Sequence, residues 1–402
     1  MPNKKIKKSE FPSWPTFDEH EEKILLEVLR SGKWWCGAPE APEGKFVWKF
    51  QEEFAKFQDA HYCIAVANGT VAIESALFAL GVGLGDEVIV SDYTFVASAS
   101  AVVATNAIPI FCDINPETFV MDVNKIDELV TERTKAIVPV HLGGNPVEMD
   151  TLMEFAERND LYVVEDCAHA HGSCYKGKKL GNWGDAGTFS FQASKVLTSG
   201  EGGAIICNSR KLAENIYSYI DCGRKKGRRS YEHFVYGTNY RMAEYQAAIL
   251  LMQMEKFTEL HKRRNKNARY LSKRLNEVDG IKVMQPTEGT SELGWYVFPF
   301  IFDPSKFGGL NKIEFDRKLQ EQGIPRVDNY PPLHTLTCFR DIKLKPGIDY
   351  STANWGRDKS DNQYFPVVSD IYSRSIEFPQ ELLLASREQL DFVVDFIESL
   401  QS

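Results

Sequence analysis

The sequence predicts an α/β protein in which a mostly parallel sheet carries helices on both faces and is followed by a smaller α+β domain. Short apolar runs typical of buried strands alternate with helical patterns, and the segments between them are long enough for crossover helices. At 402 residues the chain is long for a single hydrophobic core. We therefore expect a large domain over residues 1–270 and a small domain over residues 271–402.

Each predicted element follows from its local pattern of apolar residues. Buried strands are predicted at residues 63–66, 87–90, 108–112, 136–140, 162–165 and 203–207. Apolar residues at helical spacing predict helices at residues 71–80, 211–222, 243–271, 312–322 and 387–400. A strand pair near residues 296–302 belongs to the small domain, where Pro-rich loops connect the elements.

Composition excludes several classes of function. The formal net charge of −9 and the pI near 5.5 disfavour a nucleic-acid partner. The basic N-terminus is not followed by an apolar segment, and no apolar run is long enough to span a bilayer, so we expect a cytoplasmic protein with no membrane partner. The eight cysteines contain no C-x-x-C pair, which indicates neither a zinc site nor a disulfide framework, and no metal is expected.

The most specific chemical signal is one lysine between a strand-like segment and a glycine-rich turn. Lys195 follows Phe189-Ser190-Phe191 and precedes Gly200-Glu201-Gly202-Gly203. Burial in a desolvated cleft lowers the pKa of a lysine, and the neutral amine can then form a Schiff base with an aldehyde. This chemistry suggests pyridoxal 5′-phosphate (PLP) as cofactor. Taken alone, the segment is also typical of a solvated loop lysine.

An acid at the end of a predicted buried strand supplies the partner that PLP needs. Asp166 ends the run from Tyr162, at the edge of the sheet where ligands of open α/β folds bind. A carboxylate beside the pyridine nitrogen keeps the ring protonated and able to accept electrons. Capping of the next helix is the alternative role for Asp166. His169 is predicted to lie against the ring or its 3′ oxygen, or else to be an ordinary loop histidine.

A cradle for the phosphate is predicted where a strand, a glycine turn and a helix follow one another. Gly69 and Thr70 lie at the start of the predicted helix, where backbone N–H groups would face an anion. Ser190, five residues before Lys195, would add a hydroxyl. Each of these features is also common in proteins that bind no phosphate.

Taken in order, these segments resemble the DegT/DnrJ/EryC1/StrS family, the sugar aminotransferases of PLP fold type I. The resemblance extends from about Trp14 to the C-terminal helix. Its motifs are Asn68-Gly69-Thr70, Thr94-Phe95-Val96-Ala97, Glu165-Asp166-Cys167-Ala168-His169-Ala170-His171-Gly172, Phe189-Ser190-Phe191 with Lys195, Gly200-Glu201-Gly202-Gly203 and Gly237-Thr238-Asn239-Tyr240-Arg241-Met242.

The resemblance implies a seven-stranded, mostly parallel sheet and a complete set of catalytic residues. Lys195 would form the Schiff base with PLP, Asp166 would contact the pyridine nitrogen, and His169 would lie near the 3′ oxygen. Some members of the family carry histidine in place of this lysine and perform dehydration. Lys195 therefore argues against the dehydratase branch.

The resemblance also implies the cofactor contacts and a shared site. Phe95 would stack on the ring, and Gly69, Thr70 and Ser190 would hold the phosphate. Asn239 would reach the phosphate of the neighbouring subunit's cofactor, which would make a homodimer necessary for activity.

Peripheral motifs suggest the substrate. Trp34-Trp35 and Cys222-Gly223-Arg224 resemble aminohydroxybenzoate synthases, whereas Val283-Met284 and Phe307-Gly308-Gly309-Leu310-Asn311 resemble glutamine-dependent scyllo-inosose aminotransferases. We therefore expect a cyclic polyhydroxylated ketone as acceptor and glutamine or glutamate as donor, in a ping-pong reaction.

Three residues are candidates for substrate contact, each with an alternative role. Trp35 could instead be a packing anchor, and His141, at a strand end, could bond a backbone group. His334 lies in the loop Tyr330-Pro331-Pro332-Leu333-His334, which resembles a family substrate loop. The basic cluster 225–229 could bind a phosphate or a carboxylate, or be a solvated loop.

Three other functions remain open at this stage. The acceptor could be a nucleotide-linked keto-sugar, the enzyme could be a PLP-dependent sugar dehydratase, or the chain could bind PLP without turnover.

Overall fold

The computed structural model describes residues 11–36, 45–225, 231–340, 347–350, 353 and 364–401. Its strands are β1 Tyr62–Val66, β2 Glu87–Ser91, β3 Ile108–Cys112, β4 Thr134–Val138, β5 Tyr162–Asp166, β6 Cys174–Tyr175, β7 Lys178–Lys179, β8 Ala186–Ser190, β9 Gly203–Cys207, β10 Ile281–Val283, β11 Thr290–Glu292, β12 Val297–Phe302 and β13 Ser375–Pro379. Its α-helices are α1 Glu19–Ser31, α2 Lys45–Phe57, α3 Gly69–Ala79, α4 Ala97–Ala104, α5 Met149–Arg158, α6 Arg210–Ile220, α7 Glu244–Asn276, α8 Lys312–Glu321, α9 Thr337–Arg340, α10 Pro366–Arg374 and α11 Arg387–Glu398.

A seven-stranded sheet organises the first part of the chain, with the strand order β1-β9-β8-β5-β4-β2-β3. β9 runs antiparallel to both of its neighbours, and the other adjacent pairs are parallel. The predicted mostly parallel α/β sheet is therefore confirmed. Six of its strands lie within two residues of their predicted positions, and the seventh is β8, which ends at the strand-like segment before Lys195.

The strand directions bring the carboxyl ends of β1, β2, β4, β5 and β8 to one edge of the sheet. Parallel strands need crossover helices, which leave this edge open between the connecting loops. Ala67 and Asn68 follow β1, Asp92 follows β2, and Asp166 and Ser190 end β5 and β8. The segments predicted to hold the cofactor in the first half of the chain thus arrive at the same edge.

A second, three-stranded antiparallel sheet forms from the later part of the chain, in the order β10-β12-β13. The long helix α7 leads into it, and α8, α10 and α11 lie in the same part of the sequence. The predicted domain boundary after residue 270 falls inside α7, which continues to Asn276, so a division at that point stays a prediction. In addition, β11 pairs with β6 of the first part.

The N-terminal segment is tied to α7 and reaches the edge described above. Asp18 and Glu21 form a capping box at the start of α1, and the Glu21 carboxylate also accepts hydrogen bonds from Lys256 at 2.6 and 2.8 Å. Just before this helix, the indole Nε1 of Trp14 donates to the backbone carbonyl of Lys195 at 3.1 Å. Neither α1 nor α2 was predicted from the sequence pattern.

Aromatic packing fixes the strand that precedes Lys195. Phe50 and Phe54 of α2 meet Phe191 edge to face at 5.4 Å each, and Phe54 meets Phe189 at 5.1 Å. Such pairs contribute about 0.5–1.5 kcal/mol each beyond the area they bury. In the described part of the chain, none of the helices is both long and apolar enough to cross a membrane.

Candidate active site

A cavity of about 790 Å³ opens at the edge of the sheet where the strands end. The structure brings most of the predicted cofactor residues together in its wall: Gly69, Thr70, Phe95, Asp166, His169, Ser190 and Lys195. Two tyrosines from the later part of the chain, Tyr296 and Tyr330, also line it.

Lys195 is buried, and its amine faces the cavity. Its Nζ lies 3.9 Å from the centroid of the Tyr296 ring. Burial lowers the pKa of Lys195 to about 7, although the nearby Asp166 carboxylate acts in the opposite direction. A large fraction of the amine is therefore neutral near neutral pH, which is the form that attacks an aldehyde.

Asp166 is held in one orientation by two hydrogen bonds. Its Oδ2 accepts from Ser98 Oγ at 2.7 Å, and its Oδ1 accepts from the Ala168 backbone N–H at 3.1 Å. Because the Ser98 hydroxyl donates to Asp166, the Thr94 hydroxyl at 2.9 Å must donate to Ser98. This chain of donors fixes the carboxylate at the end of β5.

His169 is a buried, neutral imidazole with a defined tautomer. The Gly143 backbone N–H points to Nδ1 at 3.3 Å, so Nδ1 accepts and the proton resides on Nε2. Nε2 lies 3.5 Å from the Tyr330 hydroxyl. Burial lowers the pKa of His169 well below its ordinary value, with smaller contributions from Lys195 and His171. His169 can therefore donate a hydrogen bond from Nε2 but does not carry a charge near neutral pH.

The start of α3 approaches the end of β8 so closely that only glycine fits. A Cβ on Gly69 would lie 2.7 Å from the Cβ of Ser190, and a Cβ on Gly203 would lie 2.3 Å from the Asn68 carbonyl oxygen. Asn68 caps the helix by accepting from the Val71 N–H at 3.0 Å. The first N–H groups of α3 and the Ser190 hydroxyl thus form a small concave surface suited to an anion.

Phe95 lies beside this surface, just before α4. It remains 52% exposed, and its ring centroid is 5.7 Å from that of Tyr330. An exposed ring face at the cavity is suited to stacking on a planar group.

His141 does not line the cavity, so the structure does not support its predicted contact with substrate. The side chain has no exposed surface, its Nε2 lies 3.2 Å from Glu165 Oε2, and its Nδ1 accepts from the Val147 N–H at 3.2 Å. The Glu165 carboxylate also accepts from the N–H groups of Gly181, Trp183 and Gly184. His141 therefore belongs to a buried structural network, which was its alternative role.

His334 is also fully buried and does not line the cavity, so the structure does not support its predicted contact with substrate. Its Nδ1 lies 2.5 Å from Asp92 Oδ2, its backbone N–H donates to Asp92 Oδ1 at 2.9 Å, and its ring stacks on Phe365 at 4.5 Å. These contacts attach the loop that carries Tyr330 to the end of β2. His334 thus helps to position Tyr330, which lines the cavity, without lining the cavity itself.

Trp35 and Asn239 lie outside the cavity of a single chain. Trp35 is 51% exposed, and the Arg241 guanidinium carbon lies 5.6 Å from its ring. Asn239 is exposed and pairs through its backbone with Asp221. Of the basic cluster, Lys225 lies over the Phe234 ring at 4.7 Å, whereas residues 226–229 are outside the described residues.

The sequence patterns did not indicate Ser98 or Tyr296. Ser98 follows Thr94 by four residues, which places both hydroxyls on one side of the turn entering α4. Tyr296 precedes β12 and follows Trp295, whose φ of 50° is unusual for a residue other than glycine. That conformation is visible only in the structure.

Comparison with known proteins agrees with this arrangement. A model of the DegT/DnrJ/EryC1/StrS aminotransferase family matches residues 15–388. The chain belongs to this family. The sequence motifs predict this membership, and the mostly parallel seven-stranded α/β sheet agrees with the predicted fold type I.

The curated relatives of this family member include cyclitol aminotransferases. One, from Streptoalloteichus tenebrarius, is named a putative L-glutamine:3-amino-2,3-dideoxy-scyllo-inosose aminotransferase; it is 38% identical over 83% of this chain and 80% of its own. Another, the L-glutamine:2-deoxy-scyllo-inosose aminotransferase of Micromonospora echinospora, is 35% identical over 98% of this chain and 95% of its own. Among solved structures, 3-amino-5-hydroxybenzoic acid synthase matches with a TM-score of 0.87 and 29% identity, covering 97% of this chain and 98% of its own.

Proposed function

We propose that the protein is a PLP-dependent aminotransferase that moves the amino group of glutamine or glutamate to a keto-cyclitol of the scyllo-inosose type. The observation that carries the proposal is the buried Lys195 amine, with a pKa lowered to about 7, in one cavity with Asp166 and an anion cradle. The names of the cyclitol aminotransferases that resemble this chain support the choice of acceptor.

The residues present fit PLP. The close approach of Gly69 to Ser190 leaves backbone N–H groups and a hydroxyl for a phosphate. Asp166 would contact the pyridine nitrogen, Phe95 would stack on the ring, and Lys195 would make the covalent link. When bound, PLP supplies an electron sink for removal of the proton from the carbon that bears the amine.

The chain's own residues supply the proton chemistry. With a pKa near 7, the Lys195 amine can take up a proton from substrate and return it at the same pH. The Ser98 hydroxyl keeps Asp166 in a fixed orientation, and neutral His169 can donate from Nε2 to an oxygen anion. The Tyr330 ring lines the same cavity, with its hydroxyl 3.5 Å from His169 Nε2.

The charge of the cavity favours an uncharged acceptor over a nucleotide-linked sugar. Among the described residues that line it, Lys195 is the single lysine or arginine, whereas Asp166 and Glu201 are acidic. A diphosphate is normally bound by arginine or lysine side chains, which this wall does not offer. A polyhydroxylated ring needs hydroxyl and amide partners, and Ser194, Gln192 and the tyrosines provide them.

A homodimer with shared sites is part of the same proposal, as is a cytoplasmic location. Asn239 lies outside the cavity of its own chain and is exposed, so its side chain is available to a second copy. We infer that Asn239 reaches the phosphate cradle of the partner subunit.

Transfer of labelled nitrogen tests the function. The protein with PLP, L-glutamine labelled with ¹⁵N at the α-amino group and 2-deoxy-scyllo-inosose should give a ¹⁵N-labelled amino-cyclitol by mass spectrometry. Lys195→Ala is the matched control and should give none. If labelled product forms only with a nucleotide-linked keto-sugar, and free UDP or dTDP inhibits its formation, the acceptor is a nucleotide-linked sugar and not a cyclitol. A product without nitrogen would indicate a dehydratase, and no reaction with any donor would indicate a PLP-binding protein.

A further inference from the structure

Tyr296 presents the face of its ring to the amine of Lys195. The separation of 3.9 Å between Nζ and the ring centroid is well inside the range in which an aromatic face attracts an ammonium group. Lys195 is buried, so little water is available to solvate its charge. An aromatic face stabilises a cation more strongly under such conditions than at the protein surface.

The Tyr296 ring is fixed in place by contacts on several sides. Its hydroxyl lies 2.8 Å from Ser194 Oγ, which itself donates to Gln192 Oε1 at 2.6 Å, so Tyr296 is the donor of the first bond. The ring packs on His169 with the centroids 4.1 Å apart. The preceding Trp295 has a φ of 50°, a conformation that L residues rarely adopt and that turns the chain just before Tyr296.

Few other groups can stabilise a charge on Lys195. Asp166 is the described carboxylate whose charge favours the ammonium form, and Glu201 lines the same cavity while being exposed to solvent. His169 and His171 are buried, and their pKa values are lowered, so both are neutral near neutral pH. Asp166 is also the group that would be engaged by the pyridine ring when the cofactor is bound.

We propose that the ring face of Tyr296 is the position that the ammonium form of the Lys195 side chain occupies when the lysine is not linked to the cofactor. This makes Tyr296 a positioning residue, and the inference rests on the proposed function. A lysine that is released from the cofactor must stay near the reacting carbon and hold a proton. The aromatic face keeps the amine in place and stabilises its protonated form. It does so without a second carboxylate, which would compete with Asp166 for the pyridine nitrogen.

Graded fluorination of the ring tests this inference, because fluorine weakens the electrostatic attraction of the face while nearly keeping its shape. Tyr296 is replaced by phenylalanine, then by 3,5-difluoro- and 3,4,5-trifluorophenylalanine, in the full-length protein freed of cofactor. The pKa of Lys195 is read from the pH dependence of its acylation by a limiting reagent, followed by peptide mass spectrometry. We expect the pKa to fall stepwise, by about 0.5–1.5 pH units across the series.

The same fluorinated residues at Phe95 provide the matched control. Phe95 lines the same cavity but has no contact of this kind with Lys195, so the pKa should stay constant in that series. A Lys195 pKa that is insensitive to fluorination at Tyr296, or that changes equally in both series, would overturn the inference. The measurement needs no turnover, so its failure is distinguishable from failure of the ¹⁵N transfer test in the wild-type protein.

Discussion

Replacing Lys195 with methionine should stabilise the cofactor-free protein. The native lysine buries an amine whose pKa falls from its ordinary 10.5 to about 7. This difference between the folded and unfolded chains corresponds to an upper limit of about 5 kcal/mol of lost stability. Methionine has a similar length and no charge, so it removes this cost while filling the same space.

The sign of the effect gives it a characteristic pH dependence. Because the folded pKa is depressed, the unfolded chain binds more protons than the folded chain between about pH 7 and the ordinary pKa of 10.5. The wild-type protein therefore carries the full cost below pH 7 and loses it as the pH rises. The advantage of Lys195→Met should be largest at pH 6.5 and smaller by roughly 2 kcal/mol at pH 8.5.

Urea unfolding of the cofactor-free proteins at these two pH values measures the difference. The unfolding midpoint of Lys195→Met should exceed that of wild type with an unchanged slope, and the gap should narrow at the higher pH. Lys262→Met, at an exposed position of α7, is the control and should show neither change. An equal unfolding midpoint for Lys195→Met and wild type, or a difference in midpoint that does not depend on pH, would refute a buried Lys195 amine with a lowered pKa.

Three further outcomes are expected. Asp166→Asn should fold normally but slow the donor half-reaction by orders of magnitude in stopped-flow absorbance, and near-normal rates would mean that another group acts on the ring. A mixture of Lys195→Ala with Asn239→Trp should regain activity once subunit exchange is shown by pull-down, because one site of the heterodimer is then intact; exchanged heterodimers that stay inactive would disprove the shared site. His334→Ala should lower the free energy of unfolding by about 1–3 kcal/mol, since it leaves the buried Asp92 Oδ2 without its imidazole partner. If instead the stability is unchanged and the KM for the acceptor rises, His334 contacts the substrate and the structural role is refuted.

Much of the fold follows from local patterns, because the strands of this sheet are buried on both faces and read as apolar runs. The direction of β9 could not be predicted, since a run of apolar residues is the same in either direction. The signal for α2 was present but was not used: Phe46, Phe50 and Phe54 recur at every fourth residue and are buried.

The same distinction separates the predicted site residues that line the cavity from those that the structure places elsewhere. Lys195 and Asp166 could be predicted because a short segment shows both the strand end and the reactive group. His141 and His334 could not be assigned, because their roles depend on partners elsewhere in the chain. The partner of His334 is Asp92, 242 residues away. Tyr296 was missed for the same reason, since its contact with Lys195 joins segments from two sheets.

Borohydride reduction of the protein loaded with PLP tests the central claim most directly. The reagent makes the covalent link between a lysine and the cofactor aldehyde permanent, and peptide mass spectrometry then locates it. We predict one modified peptide, which contains Lys195, and its loss in Lys195→Ala, although that variant should still retain some PLP without a covalent bond. Stoichiometric modification of another lysine, or no modification at saturating PLP, would contradict the account.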